Sequence, residues 1–318
     1  MQRGHSVSRR PSFAKLRKIL LAVAGLCAVI GSTQALAETL NAVATFSILG
    51  DMVRRVGGDR VQVHNLVEAG NDAHVFQPTP ADAKKIAGAN LVVVNGLGFE
   101  GWIDRLIKSS GYKGRVVVAT TGIKVLKQAE DHEESAHEGH AHGAVDPHAW
   151  QDLANADRYV ANIAQALSEA DPAGKNVYEA NAAAYRKELG SLDTEIKAIF
   201  NAIPKERRKV VSSHDAFGYF SRAYGVRFVS PVGISTEAEP SAAGTARIIK
   251  QIRAERIPAV FMENISSPRL IERIQKESGA KVGGVLYSDS LSPASGPAAT
   301  YLDLMRHNAQ VIGDALRP

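Results

Sequence analysis

Twice along this chain, short apolar runs rich in Val, Ile and Leu alternate with segments patterned as helices, and that alternation limits the folds open to it. Strands are expected near Asn41–Thr45, Val61–Val67, Leu91–Asn95 and Arg115–Ala119, with helices near Ile48–Val56, Pro80–Gly88 and Gly101–Ser109 between them. The second half repeats the scheme. Its strands fall near Lys209–Ser213, Arg227–Val232, Ala259–Glu263 and Lys281–Tyr287, and its helices near Ala216–Ala223, Ala242–Glu255, Pro268–Ser278 and Thr300–Leu316. Strand-helix-strand alternation makes parallel sheets, because a parallel neighbour needs a crossover long enough to hold a helix. The chain therefore reads as α/β, with two βα lobes of like design, each built on a mainly parallel four-stranded sheet.

Between the lobes, Ala182, Tyr185, Leu189, Leu192, Ile196 and Phe200 recur at steps of three or four, which is one apolar face of a helix. The helix is expected over 173–203, starting after Asp171-Pro172 and ending before Pro204. At ~1.5 Å per residue, about 30 residues span roughly 45 Å, the length of a domain. A single long rigid helix thus joins an N-terminal lobe (38–172) to a C-terminal lobe (204–318).

Residues 1–37 stand apart from this pattern. MQRGHSVSRRPSFAKLRK carries six Lys and Arg and no acid, ILLAVAGLCAVIG is a short apolar run, and Ala35-Leu36-Ala37 places small residues where cleavage needs them. That layout is a secretory signal peptide cleaved before Glu38. The apolar run is short for a spanning helix, which needs about 20 residues. Leu26 precedes Cys27 where lipoprotein processing wants a small residue, so a soluble periplasmic protein is expected.

Removing the signal changes the charge argument. Of 38 basic and 33 acidic residues, six basic and no acidic ones leave with it, so 32 face 33 and the high sequence pI implies no nucleic-acid partner. The one cysteine leaves as well. The mature chain has neither a disulfide nor a thiolate, and any metal site must be built from His and carboxylates.

Four metal-capable side chains lie just beyond predicted strands or at helix starts, where open α/β sheets bind ligands. They are His74 in GNDAHVFQPTPAD, His148 in DPHAW, His214 in SSHDAFGYF and Asp289 in LYSDSLS. They are far apart in sequence and converge only if two lobes face each other.

These motifs, with YGV, EAEPSA, MEN and YLDLMRHN in the same order, resemble the cluster A-I solute-binding proteins of metal ABC transporters, of ZnuA and TroA type. The resemblance runs over essentially the whole mature chain. It implies two α/β lobes joined by a long helix, a metal in the cleft between them, and delivery to a membrane permease. Carried over position by position, the ligands are His74, His148, His214 and Asp289. Manganese binders of the family resemble a set of two imidazoles and two carboxylates, whereas three imidazoles and one carboxylate lean towards Zn²⁺ over Mn²⁺. The fourth ligand as Asp resembles an AztC-like subset. The usual DPHxxEPTP pattern departs here to Asp72-Ala73-His74 followed by Gln77-Pro78, which bears on the loop's shape and not on its ligand.

Glu263 also ends a strand and is either an alternative ligand or a carboxylate orienting an imidazole. Asp146 and Asp215 flank ligands and are expected to orient N–H groups, while His64 and His307 are read as structural. Phe217, Tyr219 and Phe220 read as helix core, and Trp150 as core or as a water-excluding floor under the site. His132, His137, His140 and His142 fall in the polar, low-complexity segment 130–143, which lacks an apolar period and reads as a disordered loop. They are candidate low-affinity ligands that gather metal for the cleft.

The function expected is capture of Zn²⁺ and its delivery to an ABC-type importer by a monomer performing no covalent chemistry, with a periplasmic metallochaperone as a possible donor of the metal. The alternatives are manganese carriage, a periplasmic metallohydrolase, or a metal-dependent adhesin. Four protein ligands leave no position for a hydrolytic water, and no anchor sequence supports the adhesin.

Overall fold

The computed structural model describes Met1, Gln2, Gly4 and residues 39–127, 145–237 and 241–317. The rest of the predicted signal sequence, the four histidines of the 130–143 segment and residues 238–240 of the EAEPSA motif lie outside the described residues.

The N-terminal lobe runs β1 (Leu40–Phe46), α1 (Ser47–Gly57), β2 (Val61–Val67), α2 (Pro80–Ala87), β3 (Leu91–Val94), α3 (Ile103–Ser110) and β4 (Arg115–Val118). Two helices follow, α4 (Leu153–Ala170) and α5 (Lys175–Asn201). The C-terminal lobe runs β5 (Lys209–Val211), α6 (Gly218–Tyr224), β6 (Arg227–Val229), α7 (Ala242–Glu255), β7 (Ala259–Glu263), α8 (Pro268–Ser278), β8 (Lys281–Leu286) and α9 (Tyr301–Leu316).

Each sheet has four strands, all parallel, in the orders β2-β1-β3-β4 and β6-β5-β7-β8. The connections after β1 and β5 turn one way and those after β3 and β7 the other. Each lobe therefore has a switch point beside its first strand, where the loops at the strand C-termini part and leave a crevice.

The long helix is present, and its predicted apolar face, joined by Tyr178, is buried along its length. Its 27 residues make it roughly 40 Å long. It does not cross alone. The 18-residue α4, which the sequence reading passed over, packs along it, and Arg186 on α5 clasps Asp157 on α4 with two hydrogen bonds of 2.6 and 2.8 Å. The buried stripe of α4 includes Ala156, Ala164 and Ala166, whose small side chains let the two helices approach but carry little hydropathy signal. Strands β5 and β6 are also shorter than predicted, three residues each, because the chain turns towards the cleft directly after Val211 and Val229.

Helix starts follow their caps. Thr79 and Asp82 form a reciprocal capping box ahead of α2, with Pro80 in the first turn where a missing N–H costs nothing. Ser241 and Thr300 accept from Gly244 and Asp303 at the starts of α7 and α9. One large core joins the N-terminal lobe to α4, α5, α9 and the inner face of the second sheet. A separate small core, built on Ile248, Ile252, Ile271 and Ile274, lies under α7 and α8 on the outer face of that sheet. Among the described residues no helix is long and apolar enough to cross a membrane.

Candidate metal centre

His74 lies in the loop after β2. Its backbone N–H donates to Asp72 Oδ1 at 2.8 Å, and the indole N–H of Trp102 holds the preceding carbonyl of Ala73 at 2.8 Å. These bonds fix a short turn that brings the imidazole edge-on to Phe99, with ring centroids 4.8 Å apart.

His148 follows β4 by way of the antiparallel bridge between Lys127 and Val145. Asp146 Oδ1 accepts its backbone N–H at 2.9 Å and lies 2.8 Å from its Nδ1. Helix α6 comes up against this carboxylate at Gly218, where a Cβ would stand 2.4 Å from Asp146 Oδ2, so only glycine fits. The Asn95 amide donates to the Pro147 carbonyl at 2.9 Å and ties the segment to the end of β3.

His214 ends the turn after β5. Glu263, the last residue of β7, accepts the backbone N–H groups of Ser213 and His214 through Oε1 at 2.7 and 3.0 Å. Its Oε2 lies 2.6 Å from His214 Nδ1. Asp289 follows β8, and the carbonyl before it, of Ser288, accepts the indole N–H of Trp150 at 2.9 Å and the Gln151 amide at 2.8 Å. Ser290 and Leu291, just after it, bond to Ser47 and Gly70 of the other lobe. Asp289 is thus carried on the second sheet but stitched to the first lobe.

The four donors meet in the cleft. His74 Nε2 is 3.4 Å from His148 Nε2 and 3.3 Å from Asp289 Oδ2; His214 Nε2 is 3.1 Å from the same oxygen, and His148 Nε2 is 3.6 Å from Asp289 Oδ1. Two donors about 2.1 Å from a common centre at the tetrahedral angle stand roughly 3.4 Å apart. These four separations lie close to that value, and all four donor atoms fall within 4.8 Å of one another. All four residues are buried, His74 at 8 % exposure and the others at 1 % or less. With Nδ1 of His148 and of His214 each held by a carboxylate, the Nε2 lone pairs turn inward.

Burial by itself would lower the pKa of His214, but the carboxylates of Glu263 and Asp289 outweigh it and hold the imidazole well above its ordinary value. Burial would raise Asp289; the charges of His148 and His214, with hydrogen bonds from His214 and His74, hold it well below the usual carboxylate range. Without a cation the centre is an imidazolium–carboxylate cluster, and a divalent ion enters by displacing a proton.

Phe46, Phe99 and Trp150 pack on one another with centroids 4.8 to 5.0 Å apart and form the apolar floor under His74 and His148. Phe99 was not anticipated. It follows a tight turn in which Gly96, Leu97 and Gly98 all have positive φ, and Glu100 ties that turn by accepting from Asn95 N, Gly96 N and Thr45 Oγ1. The paired glycines directly after a strand were the signal available.

The family described as the periplasmic component A of the zinc-uptake complex, ZnuA, matches residues 42–315. The chain belongs to the ZnuA family. Its members are solute-binding components of ABC metal importers, which work with a membrane permease and an ATPase. Among relatives, the iron-binding protein YfeA of Yersinia pestis is 35% identical over 88% of this chain and 90% of its own. The manganese ABC transporter substrate-binding lipoprotein PsaA of Streptococcus pneumoniae is 31% identical over 91% of this chain and 93% of its own. Of solved structures, the periplasmic zinc-binding protein TroA of Treponema pallidum superposes with a TM-score of 0.80 at 27% identity. The manganese-bound periplasmic metal-binding protein of Candidatus Liberibacter asiaticus gives 0.77 at 33%. Both cover 88% of this chain and all of the neighbour.

Within this ZnuA-family fold the remaining expected residues take plain positions. Gln77, at the departure from the usual loop motif, is exposed. His64 is exposed on β2, and His307 on α9 lies with Nε2 3.0 Å from the Val285 carbonyl, away from the cleft. Phe217, Tyr219 and Phe220 are fully buried. Glu263 orients His214, and Asp215 N donates to the Gly233 carbonyl at 3.1 Å.

Proposed function

We propose that this protein is a zinc carrier. It holds Zn²⁺ through Nε2 of His74, His148 and His214 and the carboxylate of Asp289, and it delivers the ion to the permease of an ABC importer. The observation that carries the reading is the convergence of these four buried donors at separations fitting one tetrahedral ion. Four protein donors fill a tetrahedral sphere, whereas hydrolytic zinc keeps a position for water, so the arrangement suits carriage. Three nitrogens to one carboxylate favour Zn²⁺ over Mn²⁺ in the general affinity order.

Manganese carriage is the second reading, and one observation favours it. Both Asp289 oxygens face the imidazoles, Oδ2 at 3.1 Å from His214 and Oδ1 at 3.6 Å from His148, so the carboxylate can chelate and raise the coordination number. Relatives named for manganese support the same reading.

The test is a competitive titration of chelator-stripped protein with Zn²⁺ and Mn²⁺, repeated on His214→Ala. The zinc reading expects Zn²⁺ to be retained and the variant to lose most of its preference. Preferential retention of Mn²⁺ by the parent overturns it.

A further inference from the structure

On one flank of the cleft, the loop at 231–237 faces the His74 loop. Thr236 Oγ1 donates to Asp72 Oδ2 at 2.6 Å. The other oxygen of Asp72 accepts the backbone N–H of His74 at 2.8 Å. One carboxylate thus touches both the opposing loop and the turn that aims a metal donor. The opposing loop is in turn bonded beside a second donor, since the Gly233 carbonyl accepts the N–H of Asp215, next to His214.

This contact is isolated. Among the described residues other than Asp215, the other hydrogen bonds from the N-terminal lobe and α4 to the C-terminal half reach residues 219–224 or 288–301. No other reaches the stretch 230–278, which carries α7 and α8. Helices α7 and α8 cover a small core of their own on the outer face of the sheet, and it shares strands β5 and β7 with the large one. Asp72 and Thr236 line a cavity of about 610 Å³ together with Val75, Thr245, Leu270 and His214, one of the four donors.

We infer that the Thr236–Asp72 hydrogen bond is the latch governing metal release: it holds the α7–α8 layer against the His74 loop, and its opening frees the ion along the cavity beside His214. The inference rests on the carrier reading above. A hydroxyl donating to an ionised carboxylate is among the stronger hydrogen bonds, yet a single one is easily exchanged for water or for a partner's donor. Asp72 and Thr236 are positioning residues. They do not touch the ion; they hold the closed arrangement in which His74 and His214 both reach it.

The test is the rate at which Zn²⁺ passes from the loaded protein to a fluorescent chelator, measured by stopped flow for the parent, Thr236→Val and Thr236→Ser. Valine matches threonine in shape and lacks the hydroxyl, while serine keeps it. Loss of one charge-assisted bond predicts release about tenfold faster for Thr236→Val, with Thr236→Ser near the parent. The metal-free melting temperature of each variant separates the latch from a structural role. A Thr236→Val variant that melts lower and releases Zn²⁺ at the parent's rate overturns the proposal, as does an unchanged rate with unchanged melting. A parent that holds no Zn²⁺ sinks the carrier reading, whereas a parent that holds it and a Thr236→Val that releases it no faster sinks only the latch.

Discussion

Glu263 grips His214 from behind at two points: Oε1 accepts the backbone N–H at 3.0 Å while Oε2 lies 2.6 Å from Nδ1. The carboxylate sets both where the imidazole stands and which ring nitrogen faces the cleft. Glu263→Gln cannot meet both donors with oxygen. An outer carboxylate of this kind is worth about 10–100-fold in metal affinity, so the variant should bind Zn²⁺ weaker by that factor in a chelator competition. Equal affinity would remove the orienting role.

Proton linkage follows from the same pair. His214 is held well above the ordinary histidine value of 6.5, so at neutral pH it carries a proton that the ion must displace. Zn²⁺ affinity should therefore rise with pH, by up to about tenfold per unit, until pH passes the raised value. Calorimetry in buffers of different ionisation enthalpy should register about one proton released per ion bound near pH 7. For the metal-free protein, the stability contributed by His214 is fully present below 6.5 and lost as pH rises through the raised value. Asp289 acts in the opposite sense: its contribution is present above 3.8 and lost as pH falls through its depressed value. Melting curves of the metal-free protein should fall at both extremes, and bound Zn²⁺ should remove the alkaline decline.

Trp150 joins the floor of the site to the far lobe through its bond to the Ser288 carbonyl. Trp150→Phe keeps most of the ring packing and drops the N–H, while Gln151 still donates to that carbonyl. The expected cost is about 1 kcal/mol in urea unfolding. Trp150→Ala removes the buried ring and should cost about 3–5 kcal/mol.

The histidine-rich segment can be removed cleanly, because the bridge between Lys127 and Val145 already holds its ends together. Deleting residues 130–143 should leave the tight-site affinity unchanged, remove weaker Zn²⁺ equivalents from a titration, and slow loading at low Zn²⁺. Unchanged stoichiometry and loading kinetics would dispose of the metal-gathering role.

Most of the fold was legible because its elements carry strong local signals. The strand Ala259–Glu263 and the helices Ala242–Glu255 and Pro268–Ser278 are bounded by Pro, Ser and Gly and fall at the predicted limits. Helix α4 was legible too, since Tyr159, Val160, Ile163 and Leu167 recur at helical spacing in its buried stripe, but it lies outside the strand–helix alternation that organised the reading. In the site, the four donors could be picked out through the ordered motifs shared with the metal-binding family; of the four, only His214 and Asp289 closely follow a strand. Asp146 and Glu263 were legible as carboxylates beside the donors. Which donor Glu263 serves depends on the lateral order of β5 and β7, which periodicity does not encode. The Asp72–Thr236 contact likewise joins loops of different lobes, 164 residues apart.

The bond from Leu291 N–H to Ser47 spans 244 positions of sequence and fastens the segment bearing Asp289 to the first lobe. A chain made from its N-terminus presents His74, His148 and His214 before that segment appears. Such a closure is formed late, because the entropy of bringing distant segments together is met only once the intervening structure exists. A chain cut short of that segment carries the three imidazoles but lacks the carboxylate of Asp289 and the bonds that bring the lobes together. On the carrier reading, the fourth donor arrives only with Asp289, so an ion held by all four reports a chain folded through to the last strand.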